Sequence, residues 1–531
     1  MIDRSTSGRA LALALLISIP ALAGATASAS GDLTGGAAQV RDRCGGCHLQ
    51  SAPGHFARIS DIRKTPEGWL MTLFRMQHVH GVRLSDSERD ALVRYLSDTQ
   101  GLAPSETSSA RYALERRPNV QDMVLPGELQ TMCARCHSAA RIALQRRDAE
   151  DWLKHVHWHV AQWPTLEYQQ NARDRLWWQT ATTEVPRQLG SLFPFHTSAW
   201  DDWKQRTHAE PTGKWLVRGH EPGRGDYWGT AVISRTGDAD FTAAYSLDSS
   251  SGQKITGGTT SILYTGFEWR GTGTLAGRPI REVYALSEDG RSLSGRWFEA
   301  EHSEIGGDWT AIREDGPAIV AVSPQAVRKG TSAQVTVFGT GLDGKVSFGP
   351  GTTAKVLSRD AHAVVVEVRV DGNAAPGWRN VQIGRINAER LIAVYDRVER
   401  LEVTPAYAIA RLGGGKLEPV AAQFEAVGFA DLPNGSGGSD PLRIGAPPVH
   451  WVAEPYNDDA KQANDAAFAG TLDDNGRYHP AGAGPNPERK FSANNAGNLA
   501  IVASLDDGGR KITGKAHLIV TVQRWNTPPI Y

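Results

Sequence analysis

Cys44-Gly45-Gly46-Cys47-His48 and Cys133-Ala134-Arg135-Cys136-His137 are two complete C-x-x-C-H units, and they use all four cysteines of the chain. The spacing has a chemical cause. Two thiols add to the two vinyl groups of one haem as thioethers, and the adjoining imidazole is then held against the iron as proximal ligand. Each unit therefore accounts for three residues at once, and the pair predicts two covalently bound c-type haems. A zinc ribbon would bring its two knuckles much closer together than Cys47 and Cys133 stand. A pair of thioredoxin-like motifs would need no histidine after either second cysteine.

The sequence around the motifs is repeated. Thr65-Pro66-Glu67-Gly68-Trp69-Leu70 leads to Met76 after the first, and Asp148-Ala149-Glu150-Asp151-Trp152-Leu153 leads to His159 after the second. Both read as helix starts. Thr65 is an N-cap with proline at the first helical position, and Asp148 caps acids in a first turn. Aligning Trp69 on Trp152 sets Met76 opposite His159, about two helical turns beyond each indole. The expected axial pairs are His48/Met76 and His137/His159, with the sulfur-ligated iron at the higher potential. His78 and His80 compete with Met76, and His155 and His157 compete with His159, because they share the same helical stretches. Ser85-Asp86-Ser87-Glu88 is a capping box for a helix presenting Leu92, Val93 and Leu96 on one face. Ala103 to Ser109 reads as a linker between the units, and Thr165 to Thr182 as a helical run closing the second.

Ahead of the first motif, Arg4 and Arg9 flank an apolar stretch from Ala10 to Ala23, and Ala27-Ser28-Ala29 is a cleavage site. A signal peptide over residues 1–29 is expected, with export to a periplasm. The apolar stretch is shorter than the ~20 residues of a membrane span, so no span is expected after its removal. Lys and Arg number 57 against 58 Asp and Glu, which gives no long-range reason to expect a nucleic-acid partner.

Past residue 190 the periodicity becomes strand-like. Short β-branched and aromatic runs at Trp215–Val217, Tyr227–Val232, Phe241–Tyr245, Ile262–Tyr264, Phe267–Trp269, Val283–Leu286 and Arg296–Phe298 give seven strands of a meander, closing as barrel or sandwich. Its tryptophans read as core. Ala318–Pro324, Val335–Gly339, Val346–Gly349, Ala363–Val370 and Arg379–Ile383 resemble immunoglobulin-like domains of the IPT/TIG type. Further strands lie at Ala408–Leu412, Val420–Phe429, Leu499–Leu505 and Leu518–Val522, with long loops at Pro433–Ala446 and Ala481–Pro487. The expected architecture is multidomain: an α-helical tandem di-haem cytochrome c domain (30–190) followed by three all-β domains. These are barrel-like (191–315), IPT/TIG-like (316–398) and C-terminal (399–531). No P-loop, H-E-x-x-H or G-x-S-x-G is found, so no catalytic residue is assigned.

Taken whole, the chain resembles the α (di-haem) subunit of quinohaemoprotein amine dehydrogenase. The resemblance rests on the signal peptide, Cys44 to His48, Cys133 to His137, and a haem domain followed by three β-domains. It implies a periplasmic oxidoreductase converting primary amines to aldehydes and ammonia, completed by a β-propeller subunit and a small subunit holding a cysteine tryptophylquinone. It also implies that this chain passes electrons from the quinone to azurin or a cytochrome c. A cysteine-linked quinone needs a cysteine, and the two haems consume all four, so the amine-oxidising centre is expected on another chain. The rival readings are a di-haem peroxidase, which needs one open distal site, and a stand-alone electron carrier with β binding domains.

Overall fold

A computed structural model describes residues 33–134, 136–163, 166, 176–433 and 439–523. The expected signal peptide and part of the helical run expected at Thr165–Thr182 lie outside the described residues. The described part of that run is the helix Trp177–Leu192.

In the first haem unit, the Trp69 helix, Pro66–His80, starts where the sequence places it. Thr65 is extended and its hydroxyl accepts the Gly68 N–H, with proline at the first position. It ends at Gly81, whose positive φ of 71° lets its N–H return to the Met76 carbonyl. Trp69 and Leu73 bury against Leu92, Val93 and Leu96 of helix Asp86–Thr99, which carries the complete Ser85/Glu88 capping box. In the second unit, the Trp152 helix, Ala149–Gln162, starts at Asp148, which accepts the Asp151 N–H at 2.7 Å. Trp152 packs with Trp177, Val185 and Leu189.

This region is not wholly helical. Gln50–Ala52 pairs with His55–Phe56, and Arg63–Lys64 of the first unit pairs antiparallel with Gln145–Arg146 of the second. Nor is Ala103 to Ser109 a loose linker. Pro104–Thr107 is a helical turn, Ala103 is buried in the core of the following domain, and Glu106 is fixed between the units. Proline at the first helical position and glutamate at the third impose that turn, with Glu106 reaching back to the Ala103 N–H at 2.8 Å.

Residues Gly213–Arg313 form a closed barrel of eight antiparallel strands in meander order, one more than the sequence runs suggest. The additional strand, Gly306–Arg313, pairs with Gly213–Glu221 and closes the barrel. Trp215, Trp269, Trp297 and Trp309 fill its core, joined from outside the barrel by Trp200 and Trp203 of helix Ser198–Gln205. One carboxylate is buried among them: Tyr245 and Trp269 donate to Glu282 at 2.6 and 3.0 Å. Aromatic donors inside the barrel thus satisfy the polar group that burial would otherwise penalise.

Strands from Ala318 to Tyr395 form two four-stranded sheets that enclose one valine-rich core. The last domain packs three small sheets around Leu499, Ile501, Leu518 and Val520. Residues 434–438 of the loop expected at Pro433–Ala446 lie outside the described residues, and the rest of it is not all loop. Ser439–Gly445 is a strand paired antiparallel with Glu425–Pro433, so Pro441 and Gly445 lie on an edge strand of a three-stranded sheet. The repeat units are tied to the barrel by Arg94, which donates to Asp240, and by Glu67, which pairs with Arg270. Among the described residues no helix is long and apolar enough to cross a membrane.

Candidate functional site

Each C-x-x-C-H motif leaves the C-terminal end of a helix. Cys44 ends helix Leu33–Cys44, and Cys133 ends helix Glu128–Cys133. In the first motif the Cys47 and His48 N–H groups both return to the Cys44 carbonyl, at 3.1 and 2.9 Å, so the tight turn presents both sulfurs and the imidazole together. Cys44 and Cys133 are half-buried, while Cys47 and Cys136 are exposed. Burial raises the Cys44 thiol and pushes Cys133 up to about 12. Such surroundings oppose the thiolate that zinc or disulfide exchange needs and suit a neutral thioether.

The imidazoles are pinned through Nδ1. His48 donates from Nδ1 to the Ala57 carbonyl at 2.9 Å, and His137 to the Ser138 carbonyl at 3.0 Å. In both, Nε2 is the nitrogen left for a metal. On the Trp152 helix, His159 donates from Nδ1 to the His155 carbonyl at 2.8 Å, and its ring centre lies 6.5 Å from that of His137. Two imidazoles bound to opposite faces of one metal at about 2 Å each would have centres roughly 6 to 6.5 Å apart, which is the separation of His137 and His159. Burial lowers His137 and brings His159 down to about 4, which favours the neutral imidazole that a metal needs.

The competitors on these helices have their own surroundings. His155 stacks on Trp158 at 5.2 Å and meets the edge of His159 at 4.6 Å, and the exposed His157 lies against Trp178 at 5.0 Å. In the first unit Met76 is half-buried, while His78 and His80 are exposed, and His78 makes to the Phe74 carbonyl the same Nδ1 bond, at 2.8 Å, that His159 makes to His155.

Sequence reasoning missed the residues that join the two units. Arg63 donates to both carboxylate oxygens of Glu106, at 2.8 and 3.0 Å, and Arg146 donates to one of them at 3.1 Å. These side chains are less than a tenth exposed. Burial alone would raise Glu106, but the two guanidiniums hold it below the usual carboxylate range. Arg63 and Arg146 precede Thr65 and Asp148 by the same interval, which was a readable signal in the repeat.

Four family models match in succession. They are described as quinohemoprotein amine dehydrogenase A, alpha subunit, haem binding (residues 34–200), and the alpha subunit's domain II (208–314), domain III (316–396) and domain IV (401–530). No curated protein matches the chain. Among solved structures, a redesigned β-barrel, mFAP1, bound to DFHBI, is similar at 13% identity over 19% of this chain and 90% of that one, with a TM-score of 0.17. A de novo designed fluorescence-activating β-barrel is similar at 17% identity, covering 19% of this chain and 92% of that one, also with a TM-score of 0.17. A SusE-like surface polysaccharide-binding protein from Bacteroides thetaiotaomicron is similar at 9% identity, covering 59% and 50%, at 0.13. Likenesses of that size carry no functional argument. Fold and site together define a multidomain protein with a haem-binding N-terminal domain followed by β-domains. The chain belongs to the family of quinohemoprotein amine dehydrogenase alpha subunits, and that enzyme is an oxidoreductase.

Proposed function

We propose that this chain is the electron-transfer subunit of a periplasmic quinohaemoprotein amine dehydrogenase, carrying two covalent haems c. Haem supplies one-electron redox chemistry at each motif. Cys44, Cys47, Cys133 and Cys136 provide the thioethers, and His48 and His137 the proximal nitrogens. His159 is the second ligand opposite His137, and Met76 the second ligand opposite His48. The observation that carries the reading is the 6.5 Å separation of the His137 and His159 rings, each with Nδ1 satisfied. A pre-set sixth ligand suits electron transfer and disfavours a peroxidase, which needs an open position.

Oxidising a primary amine to aldehyde and ammonia takes up water and releases two electrons and two protons. With every cysteine of this chain assigned to haem, the cysteine tryptophylquinone that accepts them belongs on a small partner subunit, beside a β-propeller subunit. The chain then hands electrons singly to azurin or a cytochrome c. In the same reading residues 316–398 are an immunoglobulin-like domain of the IPT/TIG type with a scaffolding role.

The test is to purify the protein from its native periplasm, record its subunits, and follow the haem spectrum on adding a primary amine. Reduction of the haems by amine, in a preparation containing a small quinone-bearing partner, is expected. A lone chain whose haems ignore amine and react with peroxide would overturn the proposal.

A further inference from the structure

The seam between the two haem units carries more positive charge than its described carboxylates neutralise. The repeat exposes the imbalance. Lys64 and Arg147 are equivalent positions, and each lies over its own unit's indole, at 5.3 Å from the Trp69 ring centre and 5.6 Å from that of Trp152. Arg147 has a carboxylate partner in Asp151. The position equivalent to Asp151 in the first unit is Gly68, where a Cβ would come within 2.9 Å of the Lys64 Cβ. Lys64 is only 6% exposed, and its ammonium donates to the neutral Thr72 hydroxyl at 2.7 Å.

Two further cations face the same place. Arg75, on the Trp69 helix, lies 4.4 Å from the Trp158 ring centre, and its Nε is buried without an acceptor. Arg141, one turn beyond His137, donates to the Met71 sulfur at 2.8 Å. Neither forms an ion pair with a carboxylate among the described residues. Burial depresses the Lys64 ammonium, and Arg147, Arg75 and Arg141 depress it further, against Asp151 alone. The Trp152 indole N–H is another buried donor without an acceptor in this region. Like charges gathered out of water are strongly unfavourable unless an anion sits among them.

We infer that this seam holds the haem propionates, with Lys64, Arg75 and Arg141 as the cations that receive them. The inference rests on the di-haem reading. Haem carries two carboxylates at the edge remote from its thioethers, which is the charge and the acceptor chemistry that these donors lack. Because Lys64 and Arg75 belong to one unit and Arg141 to the other, the seam sets both haems in one electrostatic environment. Cations there favour the reduced state and raise the potentials.

The experiment uses the full-length holoprotein. A pyridine haemochrome assay first counts haems; fewer than two per wild-type chain would be a failure of the di-haem reading, not of this inference. Midpoint potentials of wild type and of K64Q, R75Q and R141Q are then measured by spectroelectrochemical titration. A downward shift of at least one potential in the neutral variants, with K64R restoring most of the loss at Lys64, is expected. Wild-type potentials in all three variants, with both haems retained, would overturn the inference. Should a neutral variant fail to load haem, K64R and R75K decide through resonance Raman. Propionate bending bands displaced from wild type support contact, and unchanged bands overturn it.

Discussion

Arg63 and Arg146 stand directly opposite each other across the antiparallel bridge between the two repeat units, and both guanidiniums close on Glu106. They are equivalent positions of the internal repeat, so the units meet about a pseudo-twofold axis passing between them. One carboxylate serves two buried cations at that axis. Arg63 also reaches the Phe195 and Gly101 carbonyls, which ties the axis to the segment leading into the barrel.

Glu106→Gln would leave two buried guanidiniums with no formal counter-charge. Removing one partner of a buried ionic group costs about 3–5 kcal/mol, so the haem domain of this variant is expected to unfold at distinctly lower denaturant. The Soret band follows that domain specifically. A loss below about 1 kcal/mol, the size expected of a surface pair, would show that the backbone carbonyls alone satisfy Arg63 and Arg146.

Ligand exchange should read the two irons independently. In Met76→Ala the near-infrared sulfur-to-iron band is expected to vanish and one potential to fall, while the second haem is unchanged. In His159→Met the other potential is expected to rise, since thioether in place of imidazole favours the ferrous state. Persistence of the sulfur band in Met76→Ala would assign it to another methionine, whereas a wild type without the band would move the first distal position to an imidazole, with His78 and His80 the nearest alternatives.

What the sequence made legible was covalent and local. The C-x-x-C-H units, the caps at Thr65, Ser85 and Asp148, and the helix faces around Trp69 and Trp152 are each fixed by neighbours within a few residues. What it hid was non-local. The Arg63–Lys64 strand is too short for any period to show, and it acquires meaning only by pairing with Gln145–Arg146. The closing strand Gly306–Arg313 begins Gly306-Gly307-Asp308, a turn signature, yet it is held as a strand by pairing on both edges. Glu106 looks like a linker residue until two distant arginines arrive. The approach of His159 to His137 was readable because the repeat aligned His159 with Met76; the burial of the cations Lys64, Arg75 and Arg141 was not, because charged residues on a helix or strand ordinarily mean solvent.

Removing one attachment site tests the independence of the two units. Cys133→Ala combined with Cys136→Ala is expected to give one haem per chain by pyridine haemochrome, with the His48 unit spectrally intact. Each motif has its own helix end and its own core, built around Trp69 in one unit and Trp152 in the other. Loss of both haems in this variant would show instead that the first unit cannot be loaded without the second.

The β-domains are joined by a titratable clamp. His220 of the barrel donates from Nδ1 to Asp226 and from Nε2 to Glu425 of the last domain, both at 2.7 Å, and Gln325 of the middle domain donates to the other Asp226 oxygen at 3.2 Å. Burial alone would depress the imidazolium, but its bonds to Asp226 and Glu425 prevail and push it up to about 10. A folded-state value above the ordinary one, about 6.5 for histidine, means that the clamp stabilises fully below that ordinary value. The contribution is then lost as pH rises through about 10. His220→Gln is therefore expected to lower the thermal midpoint at neutral pH, and the gap from wild type should narrow steadily toward alkaline pH. A gap that stays constant from neutral to alkaline pH would mean that His220 contributes packing rather than charge.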